Sequence, residues 1–79
     1  MNDLKLKAQK EAQILINYFK AGNFAMAESR ARKIIKKFPN YVVIYNILGL
    51  VLHSQKKFSE AIKYYKIAIQ NNPNFFVAI

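Results

Sequence analysis

One histidine, four carboxylates and no cysteine are the groups from which this chain of 79 residues would build a nucleophile, a proton relay or a metal site. His53 has Leu50, Ser54 and Lys56 as its near neighbours, and these supply neither a second metal ligand nor a carboxylate to orient the ring. The carboxylates, Asp3, Glu11, Glu28 and Glu60, fall in separate segments. Glu28 precedes Arg32 by four positions and Glu60 precedes Lys63 by three, spacings that suit ion pairs on a helix surface. Gly22 and Gly49 stand apart and form no phosphate-cradling loop. The sequence therefore predicts no cofactor, no metal and no catalytic constellation, and reads as a protein that is not an enzyme.

Binding chemistry is better supplied. The net charge is +9, and Arg30, Arg32, Lys33, Lys36 and Lys37 form a basic patch in one short segment, the composition that neutralises phosphates or an anionic membrane surface. No aromatic residue interleaves with these cations on the same face, and stacking platforms normally accompany single-strand recognition, so nucleic acid is disfavoured as partner. The chain is also rich in Lys, Asn, Ile, Phe and Tyr together, a bias that AT-rich coding produces without selection for an anionic partner.

The elements that position these groups are helical. Hydrophobic residues make up 53% and charged residues 22%, proportions of a folded domain. The apolar run 47–52 is bounded by Asn46 and His53 and falls far short of the roughly 18 residues that read as a membrane span. The first ten residues alternate Asp3, Lys5, Lys7 and Lys10 with leucines and lack the apolar core of a secretory leader, which together with the absence of cysteine sets the cytoplasm as the default expectation. Sliding the chain along itself until Phe24 falls on Phe58 also lays Ala27 on Ala61, Ile35 on Ile69, Pro39 on Pro73 and Asn40 on Asn74. The chain is thus an internal repeat. Ile44, Tyr45, Leu48, Val51 and Leu52 recur at helical spacing, as do Phe58, Ala61, Ile62, Tyr65, Ala68 and Ile69. Phe24, Ala27, Ala31, Ile34 and Phe38 make the corresponding stripe of the first unit, after a turn at Ala21, Gly22 and Asn23. The pattern predicts helices over 3–20, 24–37, 41–54 and 58–71, with Asn23, Asn40 and Asn74 as caps and no strand. Most of the tyrosines and phenylalanines fall at core spacings and read as packing.

In the second unit Tyr45, Leu48, Gly49 and Leu52, then Ala61 and Tyr65, then Ala68 and Pro73, stand at the spacings W-x2-L-G-x2-Y, A-x3-F and closing Pro. These residues resemble the tetratricopeptide repeat, a helix-turn-helix unit with the same period. The first unit carries Glu11, Ile14, Leu15, Tyr18, Ala27, Ala31, Ile34 and Pro39 in the same register. Leu15 stands where the family prefers glycine, which predicts looser packing of the first helix pair, and Lys56 stands where the second inter-helix turn usually has glycine, which predicts strain there. The resemblance implies an all-α fold in which antiparallel helix pairs stack as an α-solenoid. The expected organisation is an N-terminal extension over 1–7, a divergent repeat over 8–41, a second over 42–75 and the start of a truncated third over 76–79. The uncovered Phe75, Phe76, Val77 and Ile79 predict either more chain or self-association.

The resemblance also implies a partner site, because in this family the first helices of successive units line a concave groove that holds peptides or proteins. The stripe that maps to it comprises Asn46, Leu50, His53 and Ser54 in the second unit, and Ala12, Ile16, Phe19 and Lys20 in the first, with Gln9 and Gln13 alongside. The residue set is not that of the family's carboxylate clamp: only Asn46 and Lys20 are suggestive of it. The leading expectation is a protein-interaction scaffold. Alternatives are the N-terminal repeat arm of a larger glycosyltransferase or sulfotransferase type enzyme, and a basic adaptor for nucleic acid or anionic membrane, whose affinity would fall steeply with salt.

Overall fold

A computed structural model describes the backbone of residues 2–71 and the side chains from Leu6 onward. Four helices occupy these residues: α1 (Asn2–Lys20), α2 (Phe24–Lys37), α3 (Val42–Ser54) and α4 (Phe58–Asn71). The described residues contain no strand. The expected bounds hold to within a residue. The start of a third unit at 76–79, the apolar residues from Phe75 onward and the Asn74 cap lie outside the described residues.

The helices form two pairs, α1 with α2 and α3 with α4, and α3 also packs on α2 and touches α1. α3 is the centre of the molecule. Ile44, Ile47, Leu48, Val51 and Leu52 are all buried, joined by Leu15 from α1, Ala27, Ala31 and Ile34 from α2, and Ala61 and Tyr65 from α4. Burying an aliphatic side chain of this size contributes about 1.5–3 kcal/mol, and α3 supplies five of them, so the fold is organised around this helix.

Both inter-helix turns have one geometry. The N–H of Gly22 donates to Phe19 O and that of Asn23 to Tyr18 O; at the same register of the second unit the N–H of Lys56 donates to His53 O and that of Lys57 to Leu52 O. This is the helix-ending motif in which a left-handed residue redirects the chain while the last carbonyls find donors. Gly22 takes φ +77° and Lys56 takes φ +65°. Lysine is thus held in the left-handed region that its first-unit counterpart fills with glycine, as the expectation of strain required.

The caps differ from expectation. Asn23 precedes α2, but its side chain makes no capping hydrogen bond, because its ψ of 69° departs from the extended geometry that carries a side-chain oxygen to the first turn. Tyr41, not Asn40, is the residue before α3: the Tyr41 N–H donates to Phe38 O and closes a turn around Pro39 and Asn40.

The looseness expected of the first pair is half met. Backbone approach is most extensive between α3 and α4 and less so between α1 and α2. In the second pair, a Cβ on Gly49 would lie 2.5 Å from Tyr65 Cε1, so only glycine leaves room for that ring. In the first pair, Leu15 is fully buried and Ala31 takes the register of Tyr65. A fully buried leucine thus stands at the register of Gly49, and a fully buried alanine at that of Tyr65.

Candidate functional site

The ten residues of the predicted groove stripe come from α1 and α3, which touch directly. Eight retain exposed surface: Gln9, Gln13, Lys20 and Ser54 are exposed, and Ile16, Phe19, Leu50 and His53 are half-buried. Ala12 and Asn46 do not retain it. Both are buried, Asn46 at 9% exposure. Asn46 Oδ1 has no hydrogen-bond partner among the described residues. The ring of His53 meets Phe58 edge-on at 5.2 Å between centroids, and Phe19 meets Phe24 in the same register at 5.6 Å. An aromatic ring near the end of each first helix thus contacts the first residue of the second helix. Gln13 donates to Asn17 Oδ1 at 3.1 Å on the exposed face of α1.

The predicted basic patch divides in two. Arg32 leaves it, because the turn of the helix directs it toward the second unit. Its Nε and Nη2 donate to Glu28 Oε2 at 3.1 and 3.0 Å, Nη2 donates to Glu60 Oε1 at 3.2 Å, and Nη1 donates to Tyr64 Oη at 3.2 Å. Glu28 Oε1 accepts from Gln55 Nε2 at 2.7 Å and from Lys57 Nζ at 3.1 Å. Burial acts to raise the Glu28 pKa, but the donors Gln55, Lys57 and Arg32 outweigh it and hold the carboxyl below its usual range. This cluster ties α2 to the second turn and to α4. The Glu28 to Arg32 pair was legible in its spacing, whereas Gln55, Lys57 and Tyr64 were not. Glu60 pairs with Arg32 and not with Lys63, which lies over the Tyr64 ring at 5.7 Å.

The other half of the patch faces away from the second unit. Arg30 Nη1 pairs with Glu11 Oε1 at 3.2 Å and lies over the Tyr18 ring at 5.8 Å. Lys33, Lys36 and Lys37 are exposed, and no described carboxylate lies within ion-pairing distance of them. In the last turn of α2, Lys36 and Lys37 also complement the negative end of the helix dipole.

No group of three or more potential metal ligands occurs among the described residues, and none of their helices is long and apolar enough to cross a membrane. The two successive helix pairs share one turn geometry and carry leucine and glycine at the same register. The family model of the tetratricopeptide repeat matches residues 42–75. That segment is similar to a tetratricopeptide repeat. Neither the curated proteins nor the solved structures compared with the chain gave a match. The tetratricopeptide repeat is in general a protein-interaction scaffold, and its matched span includes all of α3 and α4. Three large apolar residues on α4, Phe58, Ile62 and Ile69, stay exposed, whereas their first-unit counterparts Phe24, Glu28 and Ile35 are half-buried at the junction between units.

Proposed function

We propose that this protein is an interaction scaffold that receives a peptide or protein segment along the stripe shared by α1 and α3. The observation that carries the reading is the match of the tetratricopeptide-repeat model at 42–75, supported by the contact of its first helix with α1 and by the exposed surface that Gln9, Gln13, Ile16, Phe19, Leu50 and His53 keep. The chemistry of that stripe suits an extended partner. Half-exposed Ile16, Phe19 and Leu50 offer apolar contact, and Gln9, Gln13, Lys20 and Ser54 offer donors and acceptors to a peptide backbone around them.

Asn46 and Ala12 take a supporting place in this reading. They set the packing of the two helices, and a partner meets their neighbours. The experiment is capture from extract of the source cells, with variants Phe19→Ala, Leu50→Ala and His53→Ala beside the unaltered chain. Specific proteins retained at high salt and lost in the Phe19 and Leu50 variants support the stripe. Retention that all three variants leave unchanged refutes it.

A further inference from the structure

The first and second units present different chemistry at equivalent positions. In the second unit Tyr45 stacks on Tyr64 at 6.4 Å, and both reach back to the first unit, Tyr45 Oη donating to Pro39 O and Tyr64 Oη accepting from Arg32. The counterparts one repeat earlier are Glu11 and Arg30, joined as an ion pair. Lys10 likewise stands at the register of Ile44, and Lys33 at that of Ile67. The face that packs against a neighbour in one repeat is polar and cationic in the other.

Two adjoining hollows between α1 and α2 mark this face, of about 380 and 360 Å³, and they share Glu11, Arg30 and Lys37 in their walls. Lys33 and Lys36 extend the first; Lys7 and Lys10 extend the second. Six cations therefore surround one carboxylate, and that carboxylate is already engaged by Arg30. The walls are not polar throughout. Met26 and Ile14 line them at 45% and 40% exposure, although the counterpart of Ile14, Leu48, is fully buried.

We propose that this groove is a second docking surface and that its partner is an acidic peptide segment whose carboxylates flank aliphatic side chains. Charge complementarity selects an anion, and the exposed methionine and isoleucine between rows of lysine select one that also carries apolar groups. A membrane surface would meet a flat or convex array of cations, whereas these line a groove. Single-stranded nucleic acid would favour an exposed ring to stack on, and the aromatic residue in the walls, Phe38, packs against the core. Glu11 shows that a carboxylate fits between the helices, held by Arg30 at 3.2 Å. The surface is independent of the stripe on α1 and α3, so either can fail without the other.

The test is fluorescence anisotropy on the full chain with a labelled peptide alternating glutamate and leucine. The same peptide with glutamine for glutamate, an oligothymidine strand and phosphatidylserine vesicles serve as competing probes. The expected result is that Lys33→Glu with Lys37→Glu weakens the acidic peptide about tenfold or more, since like charges now oppose it. Met26→Asp weakens it about tenfold and the glutamine peptide does not bind, while Lys63→Glu with Lys66→Glu, an equal change in net charge on α4, shifts affinity less than about twofold. Circular dichroism melts confirm that each variant is folded. Equal weakening by the two double variants overturns the proposal, because net charge alone would then govern binding. So does tighter binding of oligothymidine or vesicles than of the acidic peptide with no response to Met26→Asp.

Discussion

In the second helix pair a glycine on α3 faces a tyrosine on α4; in the first, a leucine on α1 shares that register with an alanine on α2. Gly49 leaves room for the Tyr65 ring, whereas the first pair buries Leu15 and Ala31 at the same registers. Total volume at the seam is conserved and its distribution is reversed. This is how cores tolerate change, since volume-conserving exchanges cost far less than isolated ones. The outward faces differ in the same paired manner, an aromatic stack at Tyr45 and Tyr64 against an ion pair at Glu11 and Arg30. A lone substitution at either seam breaks the balance, and the two seams break in opposite directions.

The largest effect belongs to Leu15→Ala. The first pair would then have alanine on both sides of its seam, and removing a fully buried leucine costs about 2–5 kcal/mol through lost transfer energy and the cavity left behind. In a domain of this size about 1 kcal/mol moves the melting temperature by roughly 4–8 °C, so a thermal melt resolves the change easily. A melting temperature within the error of the unaltered chain would show that Leu15 does not fill the seam. Gly49→Leu is the converse, an overpacking against the Tyr65 ring that costs about 1–3 kcal/mol. Adding Tyr65→Ala to it imports the first pair's solution into the second and should recover part of the loss. If the double variant is as unstable as the sum of the single ones, the two residues do not share a seam.

The helices and their period were legible because Phe24 and Phe58, Ala27 and Ala61, and Pro39 and Pro73 repeat in type as well as position. The compensation at the first seam was not. Leu15 read alone is a departure from glycine, and its meaning depends on Ala31, a residue small enough to pass as an ordinary core position. The stripe of α1 and α3 was drawn from helical spacing together with the family resemblance, and neither encodes how deeply Ala12 and Asn46 are buried. The Glu28 cluster did leave a signal: a carboxylate stands at 28 where the second unit has Ile62, and a charge within an apolar register marks a junction where it must find donors. Lys7 and Lys10 carry the same kind of signal, standing at the registers of Tyr41 and Ile44.

That junction responds to acid. Glu28 has its pKa lowered in the folded protein, so its ionised form is the stabilised one. Its contribution is complete above the ordinary glutamate pKa and is lost as pH falls through the lowered folded value. Glu28→Gln should cost about 1 kcal/mol near neutral pH, the size of charge-assisted hydrogen bonds discounted for the exposure of Arg32 and Lys57. As pH falls below the ordinary glutamate pKa, the difference between the variant and the unaltered chain should shrink. Melts from pH 7 down through the acid range decide it, and a difference that never shrinks would mean that the carboxylate contributes through packing alone.

The two turns give the smallest and most discriminating contrast, because their hydrogen bonds are the same and their residues are not. Gly22 and Lys56 both lie in the left-handed region, where a residue with a Cβ is strained. Beyond its own chain neighbours nothing lies within 4 Å of a Cβ built on Gly22, so Gly22→Ala tests conformation without a tertiary clash and should destabilise by about 1 kcal/mol. Lys56→Gly should act in the other direction and stabilise by about 0.5 kcal/mol, relief of strain being partly offset by the greater freedom of glycine in the unfolded chain. Denaturant titration reads both, as midpoint shifts of opposite sign at constant slope. Shifts of the same sign would mean that the second turn gains something from lysine that the first does not require, and the equivalence of the two turns would then end at their backbone.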